Sequence, residues 1–434
     1  MKNILLFGAG KSSSACISHL AHECKLHQWN FTVADADLLL IQGKIEDYPW
    51  VASAHIDINN TEQRQALVKA ADVVISMMPP ALHYLIAQDC LYFSKHLLTA
   101  SYLDEQLKAM SEAALAKDIL FLCEMGLDPG IDHMSSMELI ATIKKDGGEI
   151  TSFKSHCGGL VAPESDNNPW HYKVSWNPRN IVLAGKAGAR YLQDGNIVYQ
   201  NYEEVFKNNK KLDCTVAGAG PLAYYANRDS IPYIALYGLQ QADTFIRTTL
   251  RHPDFLAGWS TIVAMQLTQD LPEMNTQNQT LADSLSSIIT TQNNLHLFLS
   301  STHVVKQQLN YLGFDDDTTL INNGICGPAV VLQFALENKL KLAPTDKDMV
   351  VMVHQLSYML DDKIKHCTSS LLVKGEDSVK TAMAKTVGLP LAIAASLVMR
   401  GQITLRGVHL PVLEEIYKPV LAALKEKDIL FINT

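Results

Sequence analysis

The sequence has no long run of one charge sign, no CxxC pair, no compact Cys/His cluster and no internal repeat. It also has no apolar stretch of the ~18 to 20 uncharged residues that a membrane span needs. Each absence excludes something. The 36 basic and 45 acidic residues, net charge -9, are interspersed, so there is no electrostatic footprint for nucleic acid and no such partner is expected. The eight cysteines (Cys16, Cys24, Cys90, Cys123, Cys157, Cys214, Cys326, Cys367) are scattered, which argues against zinc and against a disulfide framework. No metal is expected. The opening MKNILLFGAG reads as a strand running into a glycine turn, with no signal-peptide cleavage site. A cytoplasmic protein without membrane association is therefore expected.

What is present is a chain of 434 residues, too long for one core. NILLF (3–7), FTVA (31–34), AHIDI (54–58), DVVIS (72–76), HLLTA (96–100) and ILFLC (119–123) read as buried parallel strands. Helix-like stretches at 12–24, 81–92 and 104–116 separate them. This predicts an α/β fold whose amino-terminal domain is a Rossmann-type, doubly wound parallel sheet. From about residue 150 longer alternating strands (149–159, 194–202, 243–251) predict a second α+β domain with a mainly antiparallel sheet. Helical patterns dominate after 255, a polar surface connection covers 270–283, and 386–401 reads as an apolar helix ended by Gly401. The expected division is 1–126 for dinucleotide binding, 127–385 for substrate binding and dimerisation, and 386–434 as a helical segment packing back on the first domain.

Ligands of such sheets bind beyond the carboxyl ends of the strands. GAGKSS, DAD, SMMPP, ASY and EMGLDP all fall there. Gly8-Ala9-Gly10-Lys11-Ser12-Ser13 follows a strand and opens a helix, the context that a dinucleotide turn requires. Gly8 permits the tight turn, Gly10 lets the backbone approach a pyrophosphate, and Ser13 stands in place of a third glycine. Asp35 lies about 20 residues beyond the turn, where a carboxylate holds an adenosine ribose hydroxyl and repels a 2′-phosphate. With no arginine nearby, NAD is favoured, and NADP stays open. In EMGLDPGIDHM (124–134), Asp128-Pro129 is good helix-start grammar, with Asp128 as N-cap and Pro129 as the first helical residue. His83 and His133 have no ligand-spaced partner and read as satisfied structural histidines.

The sequence resembles the glutamate-forming saccharopine dehydrogenase, or saccharopine reductase, family. The resemblance is carried by GAGKSS, DVVISMMPPALH, TASY, EMGLDPGIDHM, CGGLVAPESDNNPWHYKVSW, NRDS, IRTTLR and AKTVGLPLAIAA, and it spans nearly the whole length. It implies an amino-terminal Rossmann domain, a second α/β domain carrying substrate contacts and the interface of a homodimer, and a helical portion. The implied activity is reversible, nicotinamide-linked interconversion of saccharopine with glutamate and 2-aminoadipate 6-semialdehyde, in lysine metabolism. By matching motif, cofactor contacts fall on Gly8 to Ser12, Ala34 to Ala36, Asp57, Met77, Leu127, Asp128, Pro129 and Trp176. Substrate contacts fall on Ser101, Tyr102, Arg228, Thr249, Leu250 and Arg251. Members that use NADP carry an arginine at the end of the second strand, where Ala36 stands here, and Lys11 is an unusual successor to the second glycine.

Saccharopine is a secondary amine with three carboxylates, so planar guanidinium forks suit it and Arg228 and Arg251 are the expected anchors. Its oxidation needs a neutral amine, and later steps need protons moved to and from water. Asp128, Tyr102 and Cys157 are the catalytic candidates. Asp128 would be a base or a charge facing the imine cation, Tyr102 a proton handler or a hydrogen-bonding wall, and Cys157 a relay or an inert buried thiol. The amine losing its proton to solvent before binding is equally open. Two other readings remain: an imine dehydrogenase with a carboxynorspermidine-type substrate, which should favour acidic pocket residues over paired arginines, and a non-catalytic nucleotide-binding sensor.

Overall fold

The computed structural model describes residues 1–434. It divides into two compact units, one of Met1–Gly147 with Val379–Phe431 and one of Gly148–Ser378 with Ile432–Thr434. Unit boundaries therefore fall at 147/148 and 378/379 rather than at 126/127 and 385/386. The first shift has a plain cause: helix α2 (Ile131–Lys145) buries Ile131, Met134, Leu139, Ile140 and Ile143 within the first unit.

The first unit is built on a parallel sheet of β1 (Asn3–Phe7), β2 (Asn30–Asp35), β3 (Val51–His55), β4 (Val73–Ser76), β5 (His96–Thr99), β6 (Leu120–Leu122) and a seventh strand, Gly407–His409. The spatial order is β3-β2-β1-β4-β5-β6 followed by Gly407–His409. The direction of winding reverses between β1 and β4, which opens the crevice where such sheets bind dinucleotides. β1, with the pattern NILLF, and β4, VVIS, are buried almost throughout, as central parallel strands are. β3 starts three residues earlier than its apolar run suggests. Ile56 donates its N–H to Asp35 O, and Asp57 then starts a turn in which its carbonyl oxygen and Oδ1 take the N–H groups of Asn60 and Asn59.

Helix α1 (Ser14–His27) follows the glycine turn after one 3-10 turn, Lys11–Ser13. The helix Ala382–Met399 is long and apolar enough to cross a membrane, yet it is the core helix of this unit: Ala382, Leu391, Ala392, Ala394 and Ala395 are fully or almost fully buried.

The second unit is built on a mixed sheet. Its centre is β7 (Glu149–Val161), flanked in parallel by β8 (Thr244–Arg251) and antiparallel by β9 (Asp348–Leu360). β9 continues through a two-residue turn into β10 (Lys363–Lys374). The turn residues Asp361 and Asp362 have φ of 50° and 57°, the left-handed pair that a tight hairpin requires. This hairpin is the main departure from the sequence reading, which has helices dominating after 255. Helix α3 (Pro253–Ala264) leads the helical layer, with Phe255, Trp259 and Trp170 in its core. All other pairings along the sheet from Lys210 to Asn433 are antiparallel.

Candidate functional site

In the first unit, Gly8 adopts φ +102°, and a Cβ there would lie 2.9 Å from both atoms of the Met77 carbonyl group. Only glycine fits. Its N–H donates to Ala34 O at 2.9 Å, while Met77 N–H donates to Phe7 O at 2.8 Å, so the turn is locked at the β1/β4 switch point. Around Gly10, by contrast, no heavy atom lies within 4 Å of where a Cβ would stand, leaving the backbone open to a phosphate. Ser13 Oγ donates to Gly10 O at 2.9 Å, Ser12 is half-buried and Lys11 is exposed.

Asp35 sits at the end of β2. Its Oδ2 accepts from Ala9 N–H at 2.6 Å and its Oδ1 from Asp37 N–H at 3.0 Å, which fixes the carboxylate over the turn. Ala36 is exposed beside it. Lys44 was not foreseen: its Nζ donates to Gly10 O and, at 2.9 Å, to Ser13 Oγ. Burial lowers its pKa to about 8, opposed by the neighbouring Asp35 charge. Nothing in the pattern LLLIQGKI distinguishes that lysine from an ordinary helix residue. Asp57 is exposed, with Oδ1 engaged in its own turn.

Beyond β5 and β6 the remaining first-unit candidates meet. Tyr102 donates its hydroxyl to Asp128 Oδ1 at 3.1 Å, and both residues are half-buried. Ser101 Oγ lies 2.7 Å from His83 Nε2, whose Nδ1 is 2.7 Å from Ser76 Oγ. His83 is therefore satisfied at both nitrogens and holds Ser101 in place. Deeper in, Glu124 accepts from Leu103 N–H at 3.0 Å and pairs with the fully buried His133 Nε2 at 2.7 Å.

The expected helix cap at Asp128 does not form. Residues 126–130 close on themselves, with Gly126 N–H on Pro129 O and Ile131 N–H on Gly126 O, both at 2.9 Å, and the Asp128–Pro129 bond is cis. The helix starts at Ile131 with Gly130 as N-cap, at φ 147°, where a Cβ would fall 2.0 Å from Gly126 O. Asp132 Oδ1, in the first turn, takes Gly130 N–H at 2.6 Å. Asp128 thus has no capping duty. Leu127 and Pro129 are buried beside it.

In the second unit, Cys157 on β7 stands opposite Thr249 on β8 and is buried. Leu250 points into the core with Leu160, Met349 and Val351, so only its backbone can serve a ligand. Arg251 is 5% exposed; its Nη1 donates to Leu250 O at 2.7 Å and to Gly159 O at 3.5 Å. The guanidinium carbon lies 5.3 Å from the Tyr172 ring centre and 5.6 Å from that of Phe255, while Nε is buried without a partner. Arg228 is exposed on the short strand Arg228–Asp229. Trp176 donates its indole N–H to Tyr172 Oη at 2.9 Å, and Lys173 is engaged by Asp346 at 2.6 Å. A cavity of about 330 Å³ lined by Thr151, Lys154, Tyr191, Tyr224, Thr244 and Ile246 contains none of the candidate residues.

Burial pushes His83 down to about 4, and His156, whose nitrogens face Thr248 Oγ1 and Gln355 Oε1, likewise to about 4. Both are neutral in the folded protein at neutral pH. A histidine depressed below its unfolded value near 6.5 contributes stability that is complete above about pH 6.5 and is lost as pH falls through about 4. The expected loss is about 2 kcal/mol per histidine between about pH 7 and about pH 5. Urea titrations at the two pH values check it: His156→Phe should reduce the pH dependence of second-unit unfolding, and an unchanged dependence would contradict the argument.

Two family models cover the sequence: the saccharopine dehydrogenase NADP binding domain matches residues 4–122, and the saccharopine dehydrogenase C-terminal domain matches residues 126–430. Alpha-aminoadipic semialdehyde synthase of Arabidopsis thaliana is 31% identical over 98% of this chain and 44% of its own length. The protein thus spans about half the length of the synthases it matches. Saccharopine dehydrogenase [NADP(+), L-glutamate-forming] of Saccharomyces cerevisiae is 30% identical over 98% of this chain and 97% of its own. The apo, histidine-tagged Saccharomyces cerevisiae saccharopine dehydrogenase (L-Glu forming) superimposes with a TM-score of 0.88 at 28% identity, covering 100% of this chain and 99% of that one. Matched over residues 4–122 and 126–430 and sharing the fold of that structure, the chain belongs to the saccharopine dehydrogenase family.

Proposed function

We propose that this protein catalyses the reversible oxidation of saccharopine, with water, to glutamate and 2-aminoadipate 6-semialdehyde, one hydride passing to a nicotinamide cofactor and one proton being released. The observation that carries this reading is the half-buried Tyr102–Asp128 pair at 3.1 Å, beyond the carboxyl ends of β5 and β6 in the sheet that bears the glycine turn. A nicotinamide cofactor held by the glycine turn would supply the hydride acceptor for the carbon next to the substrate amine. Asp128, linked to the Tyr102 hydroxyl, is suited to take the amine proton and then to face the imine cation, and water attack on that cation splits the C–N bond. Arg251, buried on two aromatic faces with Nε unused, is suited to a substrate carboxylate. The test is formation of reduced nicotinamide by purified protein with saccharopine. Saccharopine-dependent absorbance is expected; none, from protein shown to bind cofactor, would discard the reading. A homodimer, as the family resemblance implies, in the cytoplasm is also proposed.

For the cofactor we infer a preference for NAD, although the matched dehydrogenases carry NADP(+) in their names. The support is the Asp35 carboxylate at the end of β2, fixed by Ala9 and Asp37 N–H groups, since an acidic residue after the second strand suits a ribose 2′-hydroxyl and repels a 2′-phosphate. The cation nearby, Lys44, is engaged by Gly10 O and Ser13 Oγ. Placing a phosphate dianion against a carboxylate is opposed by like-charge repulsion. The ratio of kcat/KM for NAD over NADP should exceed about tenfold, and Asp35→Ser with Ala36→Arg should shift it towards NADP by about 100-fold. A wild-type signal with NADP alone would overturn this preference while leaving the activity intact.

A further inference from the structure

Two histidines far apart in sequence, which the sequence gives no reason to associate, meet in the second unit. His171 lies in the loop after β7, and His252 caps helix α3 at the end of β8. Their ring centres are 3.9 Å apart. Asp254 joins them: its Oδ2 lies 3.5 Å from His171 Nε2 and 3.8 Å from His252 Nδ1. One donor atom from each of the three residues falls within 4.8 Å of the others. In a tetrahedral site with metal–nitrogen and metal–oxygen bonds of about 2.0–2.1 Å, donors stand about 3.4 Å apart, so the two edges to Asp254 are nearly formed, and closing the third requires the two rings, tilted by 32°, to turn towards a common ion.

Behind the cluster stands a fourth residue. Asp166 Oδ2 lies 2.6 Å from His171 Nδ1, which fixes the ring with Nε2 facing Asp254, and its other oxygen is buried without a partner. A carboxylate on the far nitrogen of a histidine is the arrangement that orients metal-binding imidazoles and raises their basicity. The scaffold is also fixed: Gln308 Nε2 donates to both Pro169 O at 2.9 Å and Asp254 O at 2.8 Å, tying the loop to the helix start. His171 sits at φ 47°, a left-handed conformation that the loop holds in place. Side-chain exposures of 33% for His171, 20% for His252 and 45% for Asp254 leave a path for an ion from solvent.

We propose that His171, His252 and Asp254 form a binding site for one divalent transition-metal ion of the zinc, cobalt or nickel kind, with Asp166 positioning His171. Two imidazoles and one carboxylate are the donor set of borderline metals rather than of calcium or magnesium, which require mostly oxygen. Binding takes the Nδ1 lone pair of His252 that otherwise accepts Asp254 N–H at 3.2 Å. No step of the proposed oxidation passes through this ion; its expected effect is to clip the loop after β7 to the start of α3 and to raise the melting temperature.

The experiment uses full-length protein stripped with EDTA and titrated with cobalt(II) and zinc(II), read by visible cobalt absorption and by calorimetry. One equivalent per protomer is expected, with a cobalt band in the tetrahedral intensity range. His171→Asn, which suits the left-handed backbone, and His252→Gln should each weaken binding by at least about 100-fold. Asp166→Asn should weaken it by roughly 10- to 100-fold. His303→Asn, at an exposed histidine outside the cluster, should leave it unchanged. Stoichiometric binding that survives His171→Asn and His252→Gln would overturn the assignment, as would the absence of saturable binding to the wild-type protein. Saccharopine turnover is measured separately, so the fate of either proposal does not decide the other.

Discussion

Replacing Arg251 by methionine is expected to lower kcat/KM for saccharopine by roughly 30- to 5,000-fold while leaving the folded protein as stable as before, or more so. The two halves of that expectation have one cause. Arg251 is 5% exposed, and its partners are two backbone carbonyls and the rings of Tyr172 and Phe255; no carboxylate forms an ion pair with it. A buried cation without a counter-ion costs several kcal/mol, so an apolar side chain of similar volume is at least as stable there. A substrate carboxylate would supply the missing charge, and removing one member of a desolvated, hydrogen-bonded charge pair costs about 2 to 5 kcal/mol. Because a carboxylate remote from the reacting carbon is bound equally in ground and transition states, most of the loss should appear in KM and little in kcat. Steady-state kinetics beside a thermal melt decide it. Full activity in Arg251→Met would remove this arginine from the substrate site, and a melt lowered along with activity would mark it as structural.

Much of the first unit was legible in the sequence because its signals are local. A central parallel strand is apolar throughout, and the turn between β1 and α1 is marked by its own glycines, Gly8 standing at φ +102° where no side chain is tolerated. Where the reading went wrong, hydrogen bonds that the residue types do not announce decided the outcome, some local and some between distant strands. Asp128-Pro129 has the grammar of a helix start, but the loop from Gly126 to Gly130 bonds to itself and moves the start to Ile131. The β9–β10 hairpin was missed because its turn, Asp361-Asp362, lacks the glycine that usually marks one, and its strands gain their order from pairing with β7. The β3 boundary was likewise set by its pairing with β2. Register between β7 and β8, which puts Cys157 opposite Thr249, and the meeting of His171 with His252 are products of the folded sheet. Neither has any trace in spacing along the sequence.

Asp128→Asn is expected to reduce kcat by about 10²- to 10⁴-fold, the range that a positioned proton acceptor supplies. It should also abolish the acid limb of the kcat profile, since a base must be deprotonated to act and an amide has no such requirement. The substitution keeps the shape of the side chain. Asp128 caps no helix, because Asp132 takes the Gly130 N–H, and an amide keeps an acceptor oxygen for the Tyr102 hydroxyl. A thermal melt beside the kinetics separates a loss of catalysis from a loss of folded protein. Tyr102→Phe separates the remaining roles. If Tyr102 acts through Asp128, the double variant should lose little more than Asp128→Asn alone; if the two act independently, their losses should multiply. Unchanged turnover and an unchanged pH profile in Asp128→Asn would remove the carboxylate from the chemistry. The proton would then have to leave with solvent before the amine binds, and the 3.1 Å contact with Tyr102 would be a structural hydrogen bond on the rim of the sheet.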